Sequence, residues 1–524
     1  MTRSEMYRRL RAHADAWDMI VVGGGATGAG VAIDAASRGY VVLLLEQSDF
    51  GKGTSSRSTK LVHGGVRYLE QGNLSLVMEA LKERGLLLQN APHLVRNLGF
   101  VVPNYDWWEA PFYGIGLKLY NLLAGKYGFG ASRILSREET LEHLPTIKTE
   151  GLKGGVIYFD GQFDDARLLI NLVATAFEQG AALLNYVEVT GLTKDGDGFV
   201  DGVQFRDADT GEEMTARAKV VINATGPFAD HLRRLADPAA EPMIAPSQGI
   251  HLVFDGSFLA AGNAIMVPHT SDGRVMFAIP WHGHTVVGTT DTPMAEASLE
   301  PVALEQEVEF ILQTASLYLA RKPARGDVLS VFAGIRPLVR SGESGNTAAL
   351  SRDHTIRIEN SGMITICGGK WTTYRHMAED CVNQAATLAR LPEKPCVTGH
   401  LNIHGFQPAP EPHTHELGHL WVYGSDASMV QDLARSDPSW AAPLDDALPY
   451  TGAEVVWAVR HELALTLEDV LARRTRALFL NARAALRMAP RVAELMAREL
   501  GRDAAWQSRQ LEAVYEVAKG YLLG

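Results

Sequence analysis

The sequence predicts an α/β protein: a Rossmann-like nucleotide-binding domain with a β-meander crossover, an interleaved antiparallel-sheet domain, and a C-terminal helical cap. Three observations carry the nucleotide-binding domain and the cap. A glycine fingerprint sits between two apolar runs in residues 18–50, alternating segments split by turn residues fill 183–221, and helix-type periodicity dominates after about residue 450. With 524 residues, 46% hydrophobic and 21% charged, the chain has material for two to four domains at ~150 residues each, and wholesale disorder is excluded.

The N-terminal segment MTRSEMYRRLRAHADAW reads as a short helix with Tyr7, Leu10, Ala14 and Trp17 on one face. It lacks the continuous apolar stretch of a secretory signal. Residues 19–22 then form a β-branched strand, 28–38 a helix with Gly39 placed for a left-handed cap, and 40–45 a strand apolar on both faces. Gly23, Gly25 and Gly28 give the GxGxxG turn between them, and Glu46 follows at the end of the second strand. The three glycines differ in what they permit. Gly23 allows the tight turn, Gly25 lets a pyrophosphate approach the backbone, and Gly28 lets helix and strand pack closely. The helix N-terminus offers unpaired N–H groups to phosphate, and Glu46 suits an unphosphorylated ribose such as that of FAD or NAD.

An NAD dehydrogenase would continue into further βαβ units. Here the next segment is polar and glycine-rich, SDFGKGTSSRSTKLVHGGVRYLEQGN, with hydroxyls at Thr54, Ser55, Ser56, Ser58 and Thr59 that could wrap an extended cofactor or simply form a surface loop. No third Rossmann strand is readable within it. Further on, the turns DGDG (195–198) and ADTGEE (208–213) separate the segments of the meander, and Phe199 stands where a calcium loop would need an oxygen ligand.

Composition removes several functions. A net charge of −12, from 61 acidic against 49 basic residues, disfavours nucleic acid as a partner. Three cysteines, Cys367, Cys381 and Cys396, with no CxxC pair, support neither a disulfide framework nor a cysteine zinc site, so no metal is expected and a reducing compartment is. The longest apolar stretches, such as 40–45, fall far short of the ~20 residues that span a bilayer. His415, Glu416 and His419 spell HExxH with His413 nearby, but three prolines precede the segment and Gly418 weakens any helix, against a zinc site.

The order of motifs carries a resemblance. GGGATGAG, residues 54–70 (TSSRSTKLVHGGVRYLE), 164–168 (DDARL), 223–227 (NATGP), 288–293 (GTTDTP), 333–338 (AGIRPL) and 368–375 (GGKWTTYR) together resemble the FAD-dependent, quinone-linked glycerol-3-phosphate dehydrogenases of the D-amino-acid-oxidase-like flavoproteins. The resemblance implies FAD as cofactor, held by Gly23, Gly25, Ala26, Thr27, Gly28, Glu46, Thr54, Ser55, Ser56, Ser58, Lys60, His63, Gly64, Gly65, Val187, Ala224, Thr225, Gly226, Gly369, Lys370, Thr372 and Thr373. It implies sn-glycerol 3-phosphate as substrate, a membrane quinone as acceptor, a homodimer, and peripheral attachment to the cytoplasmic face of the cell membrane.

Oxidising a phosphorylated alcohol calls for bidentate cations at the phosphate and a proton acceptor at the hydroxyl. Arg336 and Arg352, read as lying on short loops, resemble the family's phosphate arginines, and Arg67 and Tyr68 its further substrate groups; surface ion pairs or packing at a domain seam are the plain alternatives. His251, within a strand-like run, is the first choice of base, against a hydrogen-bonded core histidine. Lys370 is expected near the flavin, where its ammonium would stabilise an anionic reduced ring.

The expected division is 17–90, 150–240 and 330–395 for FAD, 91–149 and 241–329 for substrate, and 400–524 for the cap. Arg473, Arg474, Arg476, Arg483, Arg487 and Arg491 make a stretch without acids, able to meet anionic lipid or the chain's own acidic surface. The resemblance favours lipid contact. Rival functions are a glycerol-3-phosphate oxidase using oxygen, an amine-oxidising flavoenzyme, and a non-enzymatic flavin-binding scaffold.

Overall fold

The computed structural model describes residues 1–65, 74–106, 120, 123–268, 270, 271, 273–340, 353–408 and 417–523. Arg67, Tyr68, Arg352, His413, His415 and Glu416 therefore lie outside the described residues.

A parallel sheet forms one half of the catalytic body. Its order is His354–Ile358, Ile364–Gly368, Glu213–Asn223, Trp17–Val22, Val42–Leu45 and Ala182–Leu184, parallel throughout except at the first, hairpin-joined edge strand. The last of these is the third Rossmann strand, reached only after more than a hundred residues of inserted chain. The meander runs as expected, with Val187–Lys194 antiparallel to Val200–Asp207, and Val200–Asp207 antiparallel in turn to the start of Glu213–Asn223. Strands Trp17–Val22 and Val42–Leu45 are buried on both faces because helices cover the sheet. Helix Ala26–Ser37 packs on Tyr374–Leu388 so closely that a Cβ at Gly30 would stand 2.9 Å from the Tyr374 ring.

The second sheet is mostly antiparallel and lies alongside. Toward one side of it Ile244–Asp255 pairs over ten residues with Ser330–Val339, and toward the other Val95–Asn104 pairs along its length with Gly154–Phe163. Strands Gly154–Phe163 and Ser330–Val339 thus run in this sheet, not with the nucleotide-binding segments 150–240 and 330–395 in which the sequence boundaries put them. Arg336 is accordingly a strand residue; the polar, proline-containing GIRPL string concealed a strand whose partner lies far away in sequence.

Two other expectations change. The N-terminal helix is Arg3–Ala12, buried through Met6 and Leu10, while Trp17 opens the first strand instead of sharing that helical face. The arginine run does not form a lipid-facing surface at its start: Arg473, Arg474 and Arg476 are buried against Asp49, Asp469 and Asp165. Arg487 pairs with Asp445 and Arg491 with Glu494. The acids absent from the run itself come from elsewhere in the fold.

The C-terminal helices include Gly452–His461, Ala482–Leu500 and Ala504–Lys519. Their apolar side chains join the parallel sheet in one continuous core, whereas the antiparallel sheet and helix Glu305–Tyr318 enclose a second. Among the described residues no helix is long and apolar enough to cross a membrane.

Candidate functional site

Because the central strands are parallel, their C-terminal ends gather along one edge, and the chain leaves each through a turn that lines a common cleft. This cleft, about 1290 Å³ with its open mouth included, takes in Gly23, Gly25, Ala26 and Thr27 after the first strand, Glu46 and Gln47 after the second, and the loop 51–55. Val187 to Val189 of the meander, Ala224 to Phe228, and Gly368 to Trp371 complete it.

The glycines do what their spacing demands. Gly23 has φ +108, and a Cβ there would lie 2.6 Å from the Ala224 carbonyl oxygen; a Cβ on Gly28 would lie 1.8 Å from the Gly23 oxygen. Gly25 caps the helix with no side-chain cap of its own, so the helix terminus opens onto the cleft, and Ser55 Oγ accepts from the Ala26 N–H at 2.9 Å. Glu46 is held by two backbone donors, Gly24 N at 2.6 Å and Ser48 N at 2.9 Å. Burial pushes its carboxyl up while those hydrogen bonds oppose the shift. The cleft, the glycine-capped helix terminus that opens onto it and the anchored carboxylate fit a dinucleotide with an unphosphorylated ribose, as FAD has.

Gly23, Gly25, Ala26, Thr27, Glu46, Thr54, Ser55, Val187, Ala224, Thr225, Gly226, Gly369 and Lys370 line this cleft. Ser56, Ser58 and Lys60 are engaged elsewhere. Ser58 Oγ donates to Asp165 Oδ2 at 2.7 Å, Lys60 Nζ to the same oxygen at 2.6 Å, and Lys60 Nζ also to the Ser56 carbonyl at 2.9 Å. The buried Asp165 draws the Ser58 and Lys60 side chains away from the cleft and fixes the loop's path beneath it. Burial pushes Lys60 down to about 7, against the pull of Asp165. Gly64 is buried under Leu81 and Tyr120, its N–H donating to the Tyr120 hydroxyl, and the His63 N–H donates to Thr372 Oγ1. His63, Gly64, Gly65, Thr372 and Thr373 are thus the floor behind the wall.

The substrate-side residues meet on the antiparallel sheet. Ser247 stands opposite Arg336 and His251 opposite Phe332, so Arg336 and His251 share one face. Arg336 donates to the Thr290 carbonyl at 2.8 Å, to Thr289 Oγ1 at 3.2 Å and to Asp291 Oδ1 at 3.2 Å. Glu307 fixes that loop by accepting from Thr290 Oγ1 at 2.9 Å and Thr292 Oγ1 at 2.6 Å. His251 is buried, stacked on Phe332 at 4.8 Å, with Nε2 2.9 Å from Thr59 Oγ1 and Nδ1 without a hydrogen-bond partner. Burial, then the neighbouring Lys60 and Arg336 charges, hold its pKa well below the usual histidine value. Burial and those cations hold the imidazole toward its neutral form.

Sequence reasoning missed Asp165, Asp291, Glu307 and Trp371. Trp371 Nε1 donates to the Ser55 carbonyl at 2.8 Å, tying the GGK turn to the cofactor loop. The DDARL and GTTDTP strings marked the first two, and the W of GGKWTTYR the last; Glu307 carried no local signal. His419, from the HExxH string, pairs with Glu454 at 2.9 Å. Among the described residues no three metal-binding side chains converge.

Comparison with known proteins agrees with this arrangement. Residues 18–375 match the FAD dependent oxidoreductase family, and 363–507 match the C-terminal domain of alpha-glycerophosphate oxidase. The chain is 42% identical to the probable mitochondrial glycerol-3-phosphate dehydrogenase of Caenorhabditis elegans, over 98% of this chain and 74% of that protein. It is also 42% identical to the mitochondrial glycerol-3-phosphate dehydrogenase of Arabidopsis thaliana, over 96% of this chain and 86% of that one. Among solved structures, the glycerol-3-phosphate dehydrogenase of Bacillus halodurans complexed with FAD superposes with a TM-score of 0.80 at 30% identity, covering 99% of this chain and 97% of that chain.

Proposed function

The chain belongs to the FAD-dependent glycerol-3-phosphate dehydrogenase family, and from that premise we propose that it oxidises sn-glycerol 3-phosphate to dihydroxyacetone phosphate on the face shared by Arg336 and His251. The observation that carries this reading is the pairing of a dinucleotide cleft with that face, through loop 51–60: Thr54 and Ser55 line the cleft while Thr59 holds His251.

When bound, FAD supplies the two-electron acceptor for the alcohol carbon. The protein supplies the rest. The start of helix Ala26–Ser37 and the backbone at Gly25 would hold the pyrophosphate of FAD, and Glu46 would accept from its ribose. Arg336, already oriented by Thr289, Thr290 and Asp291, presents a fixed guanidinium to the substrate phosphate. Arg352, Arg67 and Tyr68 are proposed as its companions. Neutral His251 takes the C2 hydroxyl proton. Lys370, in the cleft wall, places a cation where negative charge develops.

We further propose a quinone as the final acceptor, a homodimer as the working unit and attachment at the cytoplasmic face of the cell membrane; the dehydrogenase names borne by the relatives support the first of these over oxygen. The test is the visible spectrum of the purified, anaerobic protein. Addition of sn-glycerol 3-phosphate is expected to bleach a flavin band, with reoxidation faster by a soluble quinone than by oxygen. A band that persists removes the substrate; faster reoxidation by oxygen removes the acceptor.

A further inference from the structure

A second cavity, about 1020 Å³ with its mouth included, lies between the antiparallel sheet and the C-terminal region. It is separate from the cofactor cleft and, among the described residues, shares no lining residue with it. Its walls are rich in aromatic rings. Phe163, Trp281 and Tyr450 are buried in it, and Trp421 faces His282 in a stacked arrangement with ring centroids 6.0 Å apart.

The charges around the cavity balance with one exception. Asp164 pairs with His282 at 2.8 Å, His419 with Glu454 at 2.9 Å, Arg474 with Asp49 at 2.5 Å, and Arg476 with Asp165 at 3.0 Å. Arg96 has no carboxylate within 4.0 Å among the described residues. Its Nε donates to Gln162 Oε1 at 2.8 Å and its Nη2 to the same oxygen, and Gln162 is itself anchored through Nε2 to the Pro280 carbonyl at 2.7 Å. Arg96 is solvent-accessible along the cavity, yet enclosed enough that burial lowers its pKa. A guanidinium oriented by a fixed amide and left without a counter-charge in a concave wall is an anion site. Flat aromatic walls beside it select a flat apolar body.

We propose that this cavity binds a planar aromatic ring carrying one carboxylate or similar anionic group, with Arg96 as the anion partner and Trp281 and Trp421 as the ring's walls. The site reaches the cofactor cleft through a ring contact, the Phe163 ring meeting the Trp371 ring edge-on at 5.3 Å where Trp371 lines the cleft, and through Arg474 and Arg476, which hold Asp49 and the Ser56 carbonyl of the cofactor loop. An occupant therefore presses on the turn that carries Gly369 and Lys370. This places the site as an effector site.

The test is isothermal titration of the FAD-loaded full chain with 2-naphthoate. One molecule is expected to bind per chain, and because coupling is reciprocal, saturating glycerol 3-phosphate should shift its affinity without displacing it. Arg96→Gln should weaken binding at least about tenfold, the loss of one charge-assisted contact. The uncharged 2-naphthamide should bind the parent protein at least about tenfold more weakly than the acid. Trp421→Leu should weaken both ligands alike while FAD content stays the same. Absence of binding at millimolar concentration, equal affinity in Arg96→Gln, equal affinity for the amide, or displacement by glycerol 3-phosphate would each overturn the assignment.

Discussion

At Arg336 the glycine across the strand matters as much as the arginine. A Cβ on Gly249 would lie 2.3 Å from Arg336 Nη2 and 2.6 Å from Thr289 Oγ1, so only glycine lets the guanidinium lie flat over the sheet and reach the loop 289–291. Arg336→Ala is expected to raise KM for glycerol 3-phosphate about 10- to 100-fold, the worth of hydrogen bonds to a charged group, with FAD content unchanged. Steady-state kinetics beside the flavin absorbance checks both halves, and an unaltered KM removes Arg336 from the phosphate site. His251 shows what single residues disclose: its place in a strand was readable from QGIHLVF. That its neighbours are Thr59, Lys60 and Arg336 depended on pairings roughly 90 to 190 positions away, to which local pattern is blind.

Among elements, the segment 401–408 shows how a linker is made rigid. His404 bridges Glu178 at the end of helix Asp165–Glu178 and Asp426 at the entry to helix Ala427–Ser436, at 2.6 and 2.8 Å. Burial lowers its pKa, but the hydrogen bonds and charges of Asp426 and Glu178 prevail and raise it to about 10. A group raised on folding stabilises fully below its unfolded value near 6.5 and loses that contribution as pH rises through the folded value. The parent chain should therefore exceed His404→Gln in denaturant midpoint at pH 7, with the gap closing as pH passes about 10; a gap that stays constant with pH would show that the bridge contributes no charge-linked stability. Elements of this kind divided cleanly in their legibility. The βαβ unit and the meander follow from local glycines, apolar periodicity and turn residues, and are readable. Strand Ser330–Val339 and the inward turn of Arg473, Arg474 and Arg476 depend on distant partners, and are not.

For the whole molecule, two buried acids act as rivets. Asp49, in the loop just past Glu46, accepts from Arg473 Nε and from Arg474 Nη1 and Nη2, and Asp165 accepts from Lys60 and Arg476. Burial alone would raise the Asp49 carboxyl, but Arg474 and Arg473 bring it down to about 2. Asp49→Asn leaves two buried cations undercompensated and is expected to cost about 3–5 kcal/mol. Because the same loop walls the cleft, loss of flavin and loss of helix signal should shift together along a urea titration. Two separated transitions would show that the cap and the nucleotide-binding half are independent units.

The reach of those rivets sets a timetable for the chain's birth. The Arg474 to Asp49 contact spans 425 positions, so at about 5–20 residues per second the ribosome needs roughly 20 to 85 seconds to deliver the second partner. Through that interval the nucleotide-binding half carries an unneutralised acid beside its cofactor loop. The cofactor loop therefore gains the counter-charges of Asp49 only once the C-terminal helices have been made, and a nascent chain cut short before Arg473 lacks both of its arginine partners.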